Sequence, residues 1–141
     1  MRDLANHIEV RRAISPAAAV ADNTALVSQI IDLAGFGMLM FAIIIGSLVD
    51  ADATFGVLVE HGDAPDLSDA AAVDDTNLTG TIATADFTFA DDDKVRKIGY
   101  VGSKRYVRLT VTPANNTGNA FIAAIAILSD ARYGPTAAQS A

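Results

Sequence analysis

DDDKVRKIGYVGSKRYVRLTVTPANNTGNAFIAAIAIL, residues 91–128, is the stretch whose reading decides the fold. The aspartate turn 91–93 leads into a strand over 94–100, and Gly102-Ser103 reads as a hairpin turn into a second strand over 105–112. In that second strand Val107, Leu109 and Val111 face one way, and Tyr106, Arg108, Thr110 and Thr112 face the other. Pro113 to Asn119 is a loop by composition. Residues 120–128 then run apolar on both faces, which places them inside a sheet and not at its edge.

Upstream the same signals recur. Residues 37–48 form a long strand, again apolar on both faces, and Gly35 supplies the turn before it. Residues 54–60, TFGVLVE, alternate Phe55, Val57 and Val59 with Thr54, Gly56 and Glu60, the pattern of a half-buried antiparallel strand. Residues 25–33 predict a strand with Val27 and Ile31 on one face and Ser28, Ile30 and Asp32 on the other. Residues 81–89 predict another, with Phe87 and Phe89 spaced by two. The acidic segment 61–79 reads as a solvated loop, with one helical turn over 66–73 capped by Asp66 or Ser68. About seven to nine short strands without a long helix predict an all-β antiparallel β-sandwich, jelly-roll-like. Residues 25–130 make up this domain. Residues 1–24 form an extended N-terminal arm and linker, with a short strand over 7–14, and residues 131–141 a short C-terminal tail.

With 141 residues the chain holds one domain with its own core. It has no cysteine, so no disulfide framework, thiolate metal site or thiol nucleophile. Residues 33–49 are an uncharged apolar run of a length near the lower limit for a membrane helix. Three glycines, a β-branched end and the bounding Asp32 and Asp50 favour a buried strand, so no membrane partner is expected. The N-terminus lacks the apolar core of a secretory signal.

Net charge is −7, and its distribution is uneven. Six of the ten Lys and Arg residues fall between Lys94 and Arg108, and none lies between Ala13 and Asp93. Overall acidity argues against nucleic acid as a partner. The cationic group Lys94, Arg96, Lys97, Lys104, Arg105 and Arg108, with Tyr100 and Tyr106, has three readings: a stacking nucleic-acid patch, an interface with another subunit, or a plain solvated face. Arg and Tyr are the residue types enriched in interface anchors, which favours the interface, joined by Arg11 and Arg12 of the arm.

Chemistry is sparse. His7 and His61 are isolated from one another, and His61 with Asp63 and Asp66 resembles a metal site only by spacing. Asp91–Asp93, or Asp50 with Asp52, lack the glycine-bearing calcium loop and read as polar turns. No GxSxG, HExxH, P-loop or GxGxxG motif occurs. No enzyme activity, metal or cofactor is expected.

The D-D-K-V-x-K-x-G-Y-x-G-x-K-R-Y-V-R run over 92–108, the Thr112-Pro113 loop with Gly118, and the closing strand 120–128 resemble a family of small tailed-bacteriophage virion proteins. The described role closest to these is that of jelly-roll cement, or decoration, proteins. The resemblance implies a non-catalytic protein on the capsid surface of the virion, made in the bacterial cytoplasm. It also implies the major capsid protein as partner, and a homo-oligomer, dimer or trimer, that bridges capsomers. A neck or tail component and a jelly-roll carbohydrate-binding module are the alternatives. The absence of Trp weakens the second.

Overall fold

The computed structural model describes residues 2–136. Two antiparallel sheets pack face to face. The first has the order β1 (Ile8–Ile14), β10 (Ala120–Ala131), β4 (Phe36–Leu48), β8 (Val95–Tyr100). In the second, β9 (Tyr106–Ala114) and β5 (Thr54–Gly62) are central. The short β2 (Leu26–Val27) and β3 (Ile31–Asp32) flank β9, and β6 (Ala71–Ala72) and β7 (Phe87–Thr88) flank β5. Counting β2 with β3 and β6 with β7 as interrupted strands gives eight positions in two four-stranded sheets. The chain crosses between the sheets at nearly every step. This is jelly-roll topology.

The core lies between the sheets. In the first sheet the inward rows are Leu128–Leu39–Tyr100, Ala126–Phe41–Ile98 and Ala124–Ile43–Arg96. Facing them are Val107, Leu109 with Val59, Val111 with Val57, and Pro113 with Phe55 and Phe87. Phe55 and Phe87 stack with ring centroids 4.9 Å apart. The expected central strands are central: β10 lies between β1 and β4, and β4 between β10 and β8.

Four sequence expectations change. First, β8 and β9 are not a hairpin. They belong to different sheets, and residues 101–105 carry the chain across the end of the sandwich. Tyr100 explains the crossing: its ring turns inward, its hydroxyl accepts from the Lys104 N–H at 3.0 Å, and it bonds His61 Nδ1 of the opposite sheet at 2.8 Å. A side chain at Gly102 would overlap that phenol. Second, the strand over 25–33 breaks in the middle. Ser28 Oγ accepts from the Leu109 N–H at 2.9 Å, so a side chain stands in for the ladder there. As a result Val27 is exposed while Ile31 is buried. Third, residues 81–89 are mainly 3₁₀ turns (Ile82–Ala85 and Phe89–Asp91) around the two-residue β7. Asp86 Oδ1 accepts from the Val57 N–H at 2.7 Å, where a strand would present a carbonyl. Fourth, Ala71–Ala72 within the segment read as a helical turn is strand β6, paired to Glu60 and His61.

The segment read as an arm carries β1, which pairs along β10 from Ile8 to Ile14. Its linker is pinned by Asn116, whose buried amide donates to the carbonyls of Val20 and Asp22 at 3.1 and 3.0 Å. Asn116→Ala is expected to cost about 2 kcal/mol, because it removes two hydrogen bonds made by a buried amide. Urea unfolding measures it, and a cost near zero would mean that water replaces the amide. Of the tail 131–141, β10 takes Ala131, and residues 137–141 lie outside the described residues.

Candidate functional site

The two outer faces of the sandwich differ in kind. On the second sheet the outward rows carry ion pairs, Arg108 Nη2 to Glu60 at 3.0 Å and Arg105 to both oxygens of Asp32 at 2.8 and 3.0 Å, around one row that holds the exposed Val27 and Leu58. Thr110, Thr112 and Thr54 share that face. Apart from Val27 and Leu58 this face is polar and open to water.

The outer face of the first sheet is apolar. Reading across β1, β10, β4 and β8, its rows are Ile8–Ser129–Met38, then Val10–Ile127–Met40–Gly99, then Arg12–Ile125–Ala42–Lys97, then Ala123–Ile44–Val95. Among the described residues nothing covers its centre: Met38 is 59% exposed, Ile44 45%, Val95 61% and Phe121 48%. Phe121 owes its prominence to a bulge where Ala120 pairs with Leu48 but Ile122 with Ile45. The extra residue opposite it re-aims the strand, and Gly46 leaves the space that the Phe121 Cβ occupies. A shallow depression of about 580 Å³ opens near the other end, lined by Met38, Met40, Gly99 and Ile127, with Thr79 packed against Gly99. Contiguous exposed apolar surface of this kind marks an interaction site. No carboxylate stands in these rows.

The cations singled out from sequence do not form one surface. Arg96 points inward, and its Nη2 meets Asp91 at 2.6 Å with Lys94 Nζ at 3.3 Å from the same oxygen. Lys104 pairs with Asp63 at 2.6 Å, and Arg105 and Arg108 pair as above. Arg11 pairs with Glu9 at 2.6 Å, donates to the Asp32 carbonyl at 2.7 Å, and stands over the Phe36 ring. Tyr100 is core, and Tyr106 lies under the Arg105 guanidinium. Of these eight cations and two tyrosines, only Arg12 and Lys97 stand on the uncovered face. Arg12 bonds Ser15 Oγ at 2.7 Å, and among the described residues Lys97 makes no ion pair. Sequence reasoning missed Met38, Ile44, Val95 and Phe121. The available signal was the pair of strands apolar on both faces, in a fold where only one face of each can meet the core.

The anionic loops are braced internally. Asp50 accepts from the Thr117 N–H at 2.7 Å and from its hydroxyl at 2.9 Å, and Asp69 accepts from the N–H groups of Asp63 and Ala64. No group of three or more metal-ligating side chains occurs among the described residues. The 33–49 run weighed as a membrane span is largely β4, and no described helix is long and apolar enough to cross a membrane.

These bonds set an acid limit. The Thr88 N–H, and after it Arg96 and Lys94, hold the Asp91 carboxyl below the ordinary carboxylate range. Arg105 does the same for Asp32, and the Thr117 N–H for Asp50. Folded carboxyls with lowered pKa bind fewer protons than unfolded ones, so their stabilisation is complete above the unfolded value and is lost as pH falls through the folded ones. The melting temperature is therefore expected to be insensitive to these groups above about pH 5 and to fall below about pH 4. Calorimetry from pH 7 to 3 measures it, and a melting temperature that rises toward acid would contradict the assignment.

No family model matches the chain, and no curated protein matches it. Among solved structures, the capsid of Ralstonia phage GP4 aligns with 92% of this chain and 88% of that one, at 14% identity and a TM-score of 0.47. The CBM22-1–GH10 modules of Clostridium thermocellum xylanase 10B align with 92% of this chain and 26% of theirs, at 11% identity and a TM-score of 0.45. The CBM32 of AlyQ aligns with 89% of this chain and 96% of its own, at 15% identity and a TM-score of 0.38. Likenesses this loose carry no argument about function.

Proposed function

We propose that the chain is a structural protein of a tailed-phage particle, a cement protein that binds outside the major capsid shell and bridges neighbouring capsomers. The observation that carries this reading is the uncovered apolar face of the first sheet, on a sandwich whose opposite face is solvated and ion-paired. An assembly module needs such a face, and a catalyst needs a cleft with convergent reactive groups. The resemblance over residues 92–128 supplies the particle. In this role the protein transmits load between shell subunits and transforms no substrate.

The test is made on heads. Purified particles of the phage that encodes the chain are expected to carry it in copy numbers comparable to capsomers, and heads lacking it to break at lower temperature. Absence from purified heads would refute the proposal, and a few copies per particle would assign the chain to the neck or tail.

A further inference from the structure

We infer that the outer face of the first sheet docks a carboxylate-flanked apolar surface of a different protein, and not a second copy of this chain. The inference rests on the proposed function for its occupant, the outside of the major capsid shell. Its chemistry comes from the row Arg12–Ile125–Ala42–Lys97, which crosses all four strands. The two cations stand on the outermost strands, three strand spacings or about 14 Å apart at the backbone. Between them the outward positions of β10 and β4 carry no charge from Phe121 to Ile127 and from Met38 to Ile44. An apolar centre with a cation on each shoulder calls for an apolar patch with a carboxylate on each side. The other interface candidates on β8 and β9 are already neutralised within the chain, except Lys97.

The same row argues against self-pairing. A two-fold axis laid over the centre of the face, along the strands, sets Arg12 of one copy over Lys97 of the other. Laid across the strands, it sets each cation over its own counterpart. Either way cations oppose cations with no carboxylate in the rows to separate them, and two bodies of net charge −7 repel on approach. The footprint is four strands by roughly eight residues, about 500 Å² per partner and about 1,000 Å² in total, the lower limit for a specific interface. So small a contact leaves little binding energy to offset that repulsion.

The probe is the empty shell of the major capsid protein of the phage that encodes the chain, prepared without the chain, with binding read by co-sedimentation. Ile44→Glu places a carboxylate in the apolar centre and is expected to weaken binding about 100-fold or more. Lys97→Glu is expected to weaken it about 10-fold and to flatten its salt dependence, while Lys97→Arg keeps both. Both sites are solvent-exposed, and an unchanged melting temperature checks that each variant folds; Ile44→Ala, expected to weaken binding less, is the milder second variant. Shell binding unaffected by all of these would overturn the inference and leave the proposed function standing. Failure of the wild type to bind shells would refute the proposed function and, with it, the shell as occupant. Analytical ultracentrifugation supplies the other outcome: a wild-type dimer that Ile44→Glu dissolves would make a second copy the occupant. Binding to phosphatidylglycerol vesicles that Ile44→Glu abolishes would make it a membrane.

Discussion

Arg108→Glu is expected to lower stability by about 2–3 kcal/mol, a fall in melting temperature of roughly 10 °C. The side chains of Arg108 and Glu60 are 25% and 20% exposed, on residues directly opposite in the β9–β5 ladder. Reversal removes the 3.0 Å bond and sets two half-buried carboxylates face to face. Solvent at the rim keeps the cost below that of a fully buried pair. Arg105→Glu is expected to change stability far less, because Arg105 and Asp32 both lie in solvent. Combining Arg108→Glu with Glu60→Arg should recover most of the loss. Thermal unfolding of the three variants measures it. A stable Arg108→Glu would mean that the pair contributes nothing and that the cation is free for a partner.

That contrast shows where sequence reasoning stopped. The strands holding Arg105–Arg108 and Lys94–Lys97 were both legible from their alternation, but the turn between them was not. Gly-Ser between two alternating runs is a local hairpin signal, whereas the choice to cross to the other sheet rests on Tyr100 reaching His61, 39 positions earlier in the chain. Once the two strands part, one basic surface becomes two sets of internal ion pairs. The partners Asp32, Glu60, Asp63 and Asp91 were visible as acidic residues, but their registers follow from the sheet order alone.

Side-chain substitution for backbone bonds hid the rest. Ser28 and Asp86 each take a ladder position, which breaks one expected strand and reduces another to two residues. Serine and aspartate at such places look like ordinary turn formers, so the pattern gives no warning. Asn116 was equally hidden: its binding partners are the carbonyls of residues about 95 positions away, and a carbonyl carries no sequence signal.

Strand β4 offers the decisive contrast between the two sides of the first sheet. Ile43 and Ile44 are neighbours of identical chemistry, and the sequence ranks them equally. Ile43 faces the second sheet and is fully buried, while Ile44 faces outward and is 45% exposed. Ile43→Ala removes side-chain carbons from a packed interior and leaves a cavity, an expected loss of about 3 kcal/mol within a range of roughly 2–5. Ile44→Ala takes away surface that water already reaches, so the expected loss in the isolated chain is under about 1 kcal/mol. Chemical denaturation of both variants gives the ratio. Equal losses would mean that something within the chain or a second copy covers the outer face. Unequal losses in the isolated chain that become equal once the partner is bound would show that the partner supplies the missing cover.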